Sequence, residues 1–208
     1  MLHLKFMRSA IRNRKKIAAT DLATNQTYTY EKMLIASLIL KDKLCKYQGQ
    51  YLGILLPTTA GCHLTVIGCL MTNKIPVMIN YSTGAIENCR HAIEKCSLTT
   101  IITSSKMLAK LKLEAIPEMV FIEDILKTVK ITDKLKAALT AKLPFAMQEK
   151  FVHQGDGEDV SVILFTSGSE KDPKAVQLTH RNIEQQVSIL PDMAGATSDD
   201  IFAGANPP

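Results

Sequence analysis

Short, mostly apolar runs alternate along this chain with longer stretches of helical periodicity, and this alternation restricts the fold more than any other feature. Tyr51–Leu56, Ile75–Ile79, Thr99–Thr103, Met119–Ile122 and Val160–Phe165 read as buried strands. Between them, Thr58–Asn73, Ala85–Cys96, Ser104–Leu113 and Glu123–Ala141 read as helices. Parallel strands need crossover connections, the crossovers keep one hand, and the helices within them must cover both sheet faces. The expected fold is therefore α/β: a doubly wound, mostly parallel sheet with helices on both faces. Pro76 has no amide to donate, so the ladder of its strand is expected to begin after it. Glu123–Ala141 is expected to be one helix over a sheet edge, with Lys127, Lys130, Lys134, Lys136 and Lys142 as its solvated face.

Ahead of the alternation, Ile17–Asp21 and Gln26–Tyr30 read as a hairpin that turns near Asn25. Thr29 then caps a helix from Tyr30 to about Lys46, with Met33, Leu34, Leu38 and Leu44 as its apolar stripe. Residues 1–16 place Leu4, Met7 and Ile11 on one helical face, beside a basic cluster of Lys5, Arg8, Arg12, Arg14, Lys15 and Lys16. Two readings of this start stay open: peripheral contact with an anionic membrane, or a docked first helix with a solvated basic face.

With 208 residues, 46% of them hydrophobic and 22% charged, the chain can build a substantial core. Its formal net charge of +5 is too small to argue for nucleic acid, and the aromatic-plus-basic pattern of an RNA-binding module is missing. Cys45, Cys62, Cys69, Cys89 and Cys96 form no C-x-x-C pair; without a secretory signal they read as reduced thiols of a cytoplasmic protein. The histidines show no zinc-ligand spacing, and His91 reads as a partly exposed helical residue that nothing in the sequence pattern pairs with. No apolar run is long enough to span a bilayer.

The chemistry concentrates in Thr166-Ser167-Gly168-Ser169-Glu170-Lys171-Asp172-Pro173-Lys174-Ala175-Val176. This stretch follows the Val160–Phe165 strand and precedes a helix start at Leu178–Ile183, where Thr179 offers an N-cap. In open α/β sheets, ligands bind at the carboxyl ends of strands. Thr166, Ser167 and Ser169 bring small hydroxyl donors, Gly168 lets the backbone approach a ligand closely, and Lys174 supplies a point charge that suits phosphate. The common P-loop is excluded, because Pro173 stands where that motif has its second glycine and Ala175 follows the lysine. A surface loop rich in turn residues is the plainer reading of the same composition.

That stretch resembles the Ser/Thr/Gly-rich nucleotide loop of the adenylate-forming superfamily: acyl-CoA synthetases, luciferases and peptide-synthetase adenylation domains. Glu170, where many members carry threonine, points to the acyl-acyl-carrier-protein synthetases and the synthetase half of 2-acylglycerophosphoethanolamine acyltransferase. Thr29-Tyr30-Glu31 and Asn80-Tyr81-Ser82-Thr83-Gly84 resemble two further runs of the family, the second read as a turn that ends a strand and caps the next helix. Lys171 and Ala175 depart from the glycines of the pattern.

The resemblance implies a partial AMP-binding domain over residues 1–208, the N-terminal subdomain of the synthetase fold, ending shortly after the phosphate loop. It implies ATP and Mg²⁺ as cofactors, and a fatty acid and acyl carrier protein (or CoA) as partners. The carboxylate would attack the α-phosphorus to give acyl-adenylate and pyrophosphate, and a thiol would then take the acyl group. Thr166, Ser167, Gly168 and Ser169 are implied as phosphate donors, Lys174 as the cation, and Glu170 as the group that orients Mg²⁺ or the loop. The lysine-rich Glu123–Ala141 segment has a second reading as a docking patch for the acidic carrier protein.

Asp200–Pro208 enters the segment that shapes the family's acyl pocket, and the family's later acidic metal ligand, ribose-binding aspartate and mobile domain with its catalytic lysine lie beyond it. The expectation is a truncated N-terminal fragment of an ATP-dependent fatty-acid ligase, inactive alone. The alternatives are a subunit completed by a separately encoded remainder, and a non-catalytic interaction module that keeps the fold.

Overall fold

A helix, Leu2–Arg12 (α1), opens the chain and is followed by an antiparallel hairpin of Ile17–Asp21 (β1) and Gln26–Thr29 (β2). In the computed structural model, residues 1–166, 173–195, 197 and 200–204 are described. Asn25 takes a left-handed conformation (φ 51°) at the hairpin turn, a backbone region that asparagine tolerates. Next come Tyr30–Leu44 (α2), Tyr51–Leu55 (β3), Ala60–Leu70 (α3), Ile75–Met78 (β4), Ala85–Cys96 (α4), Ile101–Thr103 (β5), Ser105–Leu111 (α5) and Met119–Phe121 (β6). Ile122–Lys127 (α6), Ile131–Lys142 (α7), Phe145–Gln148 (α8), Val160–Phe165 (β7), Ala175–Thr179 (β8) and His180–Ala194 (α9) complete the order. The helix starts follow local chemistry: the Oγ atoms of Thr29, Thr59 and Ser104 each accept the backbone N–H three residues on.

The main sheet has the order β6-β5-β3-β4-β7-β8, parallel throughout except for the antiparallel edge pair β7–β8. Side chains alternate across it with the period-two rule of strands. Leu52, Ile54, Leu56 and Ile102 meet α2 and α3 on one face through Met33, Leu40, Leu44, Cys62, Leu64 and Cys69. Leu55, Val77, Ile79, Ile101 and Ile163 meet α4 and α5 on the other through Ala85, Cys89, Ala92, Met107 and Leu108. Each large aliphatic side chain fully buried in this way contributes about 1.5–3 kcal/mol. Helices therefore cover both faces, and the doubly wound α/β arrangement expected from the alternation is present.

A further layer lies outside α2, which is why that helix is apolar on more than one side. Leu34 and Leu38 face outward from the sheet and pack with Met7 and Ala10 of α1 and with Ala137 and Ala141 of α7. The apolar face of α1 is thus part of the core. Three residues of the basic cluster have partners: Arg8 lies 4.5 Å over the Phe145 ring, Arg14 donates to the Ala141 carbonyl at 2.7 Å, and Lys5 pairs with Glu184 at 3.1 Å, while Arg12, Lys15 and Lys16 are exposed. The docked first helix expected in one of the two readings of the N-terminus is present. The α1 start is fastened to α9 by the α-ammonium group on Glu184 (3.1 Å) and by the Leu2 N–H donating to His180 Nδ1 (3.2 Å).

Three sequence expectations are corrected. The β4 ladder toward β3 begins at Ile75, whose N–H donates to Gln50 O at 2.8 Å, and Pro76 stands in register with Leu52. Alternation turns the amide position of Pro76 toward β7, where pairing starts only at Val77, so no ladder bond is lost. Glu123–Ala141 is two helices, not one, and α7 packs on α2 through Ala137 and Ala141, not over a sheet edge. The break has a distant cause: Lys43 of α2 is buried and donates both to the Thr128 carbonyl (3.0 Å) and to Asp133 (2.6 Å). It thereby satisfies a carbonyl at the end of α6 and a carboxylate at the start of α7. Lastly, the stretch before His180 is an edge strand, β8, so the Thr166–Lys174 loop joins two antiparallel strands before the helix begins.

Candidate functional site at the carboxyl ends of β4 and β7

The chain leaves β4 and crosses to β5 on the far side of β3, and later returns to β4 through β7. The carboxyl ends of β4 and β7 therefore lie side by side where the strand order diverges, a place where α/β sheets open a crevice. Two turns meet there: Asn80–Gly84 after β4 and the hairpin connection after β7.

The first turn is self-bonded. Asn80 Oδ1 accepts from the Ser82 N–H at 2.8 Å and the Ser82 hydroxyl at 2.7 Å. Gly84 stands before α4 with φ +60°, a conformation that L side chains rarely adopt. Asn88, on the first turn of α4, donates to the carbonyls of Asn80 (2.9 Å) and Thr83 (2.8 Å). The structural role expected for Asn80–Gly84 agrees with this geometry.

One turn further along α4, His91 reaches the second connection. Its Nε2 lies 2.8 Å from the carbonyl oxygen of Pro173, which can only accept, so Nε2 carries the proton. The ring also meets Phe165 edge-on with centroids 5.4 Å apart. His91 thus touches both flanks of the loop, Phe165 before it and Pro173 after it. It is partly exposed as expected, and it has a partner that the sequence pattern does not show. Its partner is 82 residues away in sequence, and no local pattern carries that signal.

The stem of the loop closes on itself. The Thr166 N–H donates to Lys174 O at 3.0 Å, and Thr166 Oγ1 accepts from the Lys174 N–H at 3.2 Å. Both residues are exposed and mark the base of the connection. Of the expected site residues, the structure brings Thr166 and Lys174 together; Ser167, Gly168, Ser169 and Glu170 lie outside the described residues, as does Lys171. On the far side of β8, Thr179 caps α9 as expected. Its Oγ1 accepts from the Asn182 N–H at 3.2 Å while Asn182 Oδ1 accepts from the Thr179 N–H at 3.0 Å, a reciprocal cap that holds β8 to the helix.

Asn80, Thr83, Asn88, His91, Phe165, Thr166 and Pro173 enclose a cavity of about 180 Å³. A larger cleft, about 390 Å³, is lined by Gly49–Tyr51 at the amino end of β3, Lys95 and Cys96 at the end of α4, and Ile163, Ala175 and Gln177 of the β7–β8 pair. Beside Phe165 and Pro173, the described lining residues of the smaller cavity carry hydroxyl, amide and imidazole groups and no carboxylate, a set that suits a polar or anionic group better than a cation. Among the described residues no group of three His, Cys, Asp or Glu side chains could hold a metal ion. Those residues therefore give Mg²⁺ no carboxylate set of its own. No helix among them is long and apolar enough to cross a membrane.

Comparison with known proteins agrees with this geometry. Medium-chain-fatty-acid–[acyl-carrier-protein] ligase JamA of Moorena producens (strain JHB) is 35% identical over 69 residues, which is 33% of this chain and 12% of that protein. Long-chain-fatty-acid–[acyl-carrier-protein] ligase AEE15, chloroplastic, of Arabidopsis thaliana is 38% identical over 52 residues, 25% of this chain and 7% of that protein. Among solved structures, o-succinylbenzoate CoA synthetase (MenE) of Bacillus subtilis, in complex with its acyl-adenylate intermediate OSB-AMP, superposes with a TM-score of 0.72 at 18% identity, over 97% of this chain and 49% of that one. VinN superposes with a TM-score of 0.74 at 20% identity, over 96% of this chain and 48% of that one. The chain spans about half the length of these two structures and a far smaller part of the two ligases. The model of the AMP-binding enzyme family matches residues 6–208, and the chain belongs to that family.

Proposed function

We propose that this chain supplies the phosphate-binding part of an ATP-dependent ligase that activates a fatty acid as its acyl-adenylate and passes the acyl group to the thiol of an acyl carrier protein. The observation that carries the reading is the closed Thr166–Lys174 stem at the carboxyl end of β7, with hydroxyl and glycine residues between its two ends in the sequence. The acyl-carrier-protein ligases among its relatives support the choice of acid and acceptor. Those relatives are named as ligases.

In this reading the chain's contribution is placement and charge. Lys174 brings a cation to the β- and γ-phosphates, and Thr166, Ser167 and Ser169 donate hydroxyl hydrogen bonds to their oxygens. Gly168 leaves room for backbone amides to approach, and Glu170 orients the loop or the Mg²⁺ that enters with the nucleotide. Nucleotidyl transfer depends mainly on such positioning and electrostatic stabilisation. When bound, Mg²⁺ would neutralise phosphate charge.

Calorimetric titration with ATP and with pyrophosphate, at one fixed salt concentration, tests the reading. The chain should bind both weakly, and Lys174→Ala should abolish binding. If Lys174→Ala binds like the parent chain, the phosphate-binding assignment fails and the loop only joins two strands.

A further inference from the structure

One group of exposed large apolar side chains lies on and around α7. Leu126, Ile131, Leu135, Leu139, Met147 and Phe151 are all exposed. Three of them, Ile131 (84% exposed), Leu135 (59%) and Leu139 (59%), follow one another at i, i+4 and i+8 on α7. They form a single stripe about 12 Å long at 1.5 Å per residue. At 100° per residue this stripe lies opposite Ala137 and Ala141, the side chains buried against α2. The helix is therefore apolar on the side that faces outward, the reverse of an ordinary surface helix.

The surroundings of the stripe are basic. Between residues 126 and 151 stand Lys127, Lys130, Lys134, Lys136, Lys142 and Lys150, all exposed, against Asp133 and Glu149. Asp133 is taken by the buried Lys43, Lys127 pairs with Asp124, and Lys136 pairs with Asp42. Lys134, Lys142 and Lys150 have no ion pair among the described residues.

We infer that α7 is an interfacial helix that seats this domain on an anionic lipid surface. An aliphatic stripe flanked by lysines matches the boundary between acyl chains and anionic headgroups, because long lysine stems lie along apolar surface while their charges reach outward. The type of cation separates this occupant from an acidic protein. Carboxylates on a protein surface are matched best by the planar fork of arginine, and all six cations here are lysine. A second copy of the chain would set lysines against lysines. The stripe is also a convex ridge, which suits a deformable phase better than a shaped groove.

Co-sedimentation with vesicles, in the absence of nucleotide, tests the inference independently of the proposed ligase function. The chain should bind vesicles of phosphatidylcholine with phosphatidylglycerol and show little binding to phosphatidylcholine alone. Leu135→Gln with Leu139→Gln should abolish binding, with thermal melts showing that the fold is kept. Lys134→Glu with Lys142→Glu should weaken binding at least about tenfold, since each juxtamembrane lysine is worth ~1 kcal/mol. An Arg8→Ala, Lys15→Ala, Lys16→Ala variant of the N-terminal basic cluster should bind like the parent. Absence of binding to the anionic vesicles, equal binding to neutral ones, or retention by the Leu135/Leu139 variant would each overturn the inference. So would loss confined to the N-terminal variant. If the parent instead self-associates through the stripe, or binds an acidic carrier protein through it in preference to vesicles, the occupant is a protein and the inference fails.

Discussion

Acidification should weaken the α1–α9 contact, and His3 is the main reason. Its side chain is 1% exposed, its Nε2 donates to the His153 carbonyl at 3.0 Å, and its Nδ1 has no hydrogen-bond partner among the described residues. Burial is the largest influence and pushes the imidazole from 6.5 down to about 4. The His153 carbonyl opposes that shift, while the His180 ring, the α-ammonium group and the His153 ring reinforce it. A histidine held neutral in the folded chain takes up its proton near 6.5 once the chain unfolds. Its contribution is therefore complete above about pH 6.5 and is lost as the pH falls toward about 4. A difference between 6.5 and about 4 corresponds to roughly 3 kcal/mol in full, and to about 2 kcal/mol between pH 7 and pH 5.

Urea denaturation at pH 7 and pH 5, at constant ionic strength, measures this. His3→Gln retains a donor for the His153 carbonyl but cannot titrate. The parent chain should lose about 2 kcal/mol more than the variant between the two pH values. His180, also shifted down chiefly by burial, adds a loss of the same sign to both proteins and cancels in the comparison. Identical pH dependence in the two proteins would refute the argument and mean that His3 is hydrated or carries its proton in the folded state.

His91→Ala removes the 2.8 Å bond to Pro173 and the edge contact with Phe165, and should cost about 1–2 kcal/mol in urea melts. His91→Gln should recover the hydrogen-bond share only, and both variants should show faster amide exchange at Lys174 if His91 steadies the loop stem. Gly53→Ala should destabilise by about 1–3 kcal/mol, because its Cβ would come within 2.8 Å of Ile101 Cγ1 and 3.3 Å of Ile101 Cα in the neighbouring strand. An unchanged or higher urea midpoint would show that β5 yields to the added methyl group.

What could be read from the sequence divides by the range of the interaction responsible. The strands are short apolar runs whose neighbours are set by period and crossover rules, so β3, β4, β5, β6 and β7 are legible to within a residue or two at each end. Caps are equally local: Thr29, Ser104 and Thr179 act on amides three residues away. The missed features depend on side chains brought from elsewhere. Lys43 shapes the break between α6 and α7 from 85 and 90 residues away, while the periodicity of Glu123–Ala141 runs through that break. Asp21 serves the start of α3 from 39 residues away through the Ala60 N–H at 3.0 Å. β8 was hidden for another reason. As an edge strand with mostly exposed side chains it has little apolar pattern, and the antiparallel pairing with β7 defines it. The same division runs through the candidate site. Thr166 and Lys174 sit at the two ends of one turn-forming segment and are found from composition and spacing, whereas His91 joins the site only because β4 and β7 are neighbours in the sheet. Its place on α4 follows from the crossover that leaves β4 for β5, so the topology that could be read from the alternation of strands and helices already determines which helix faces the loop. The step that sequence could not supply is the rotation of that helix, which turns His91, and not Arg90 or Glu94, toward Pro173.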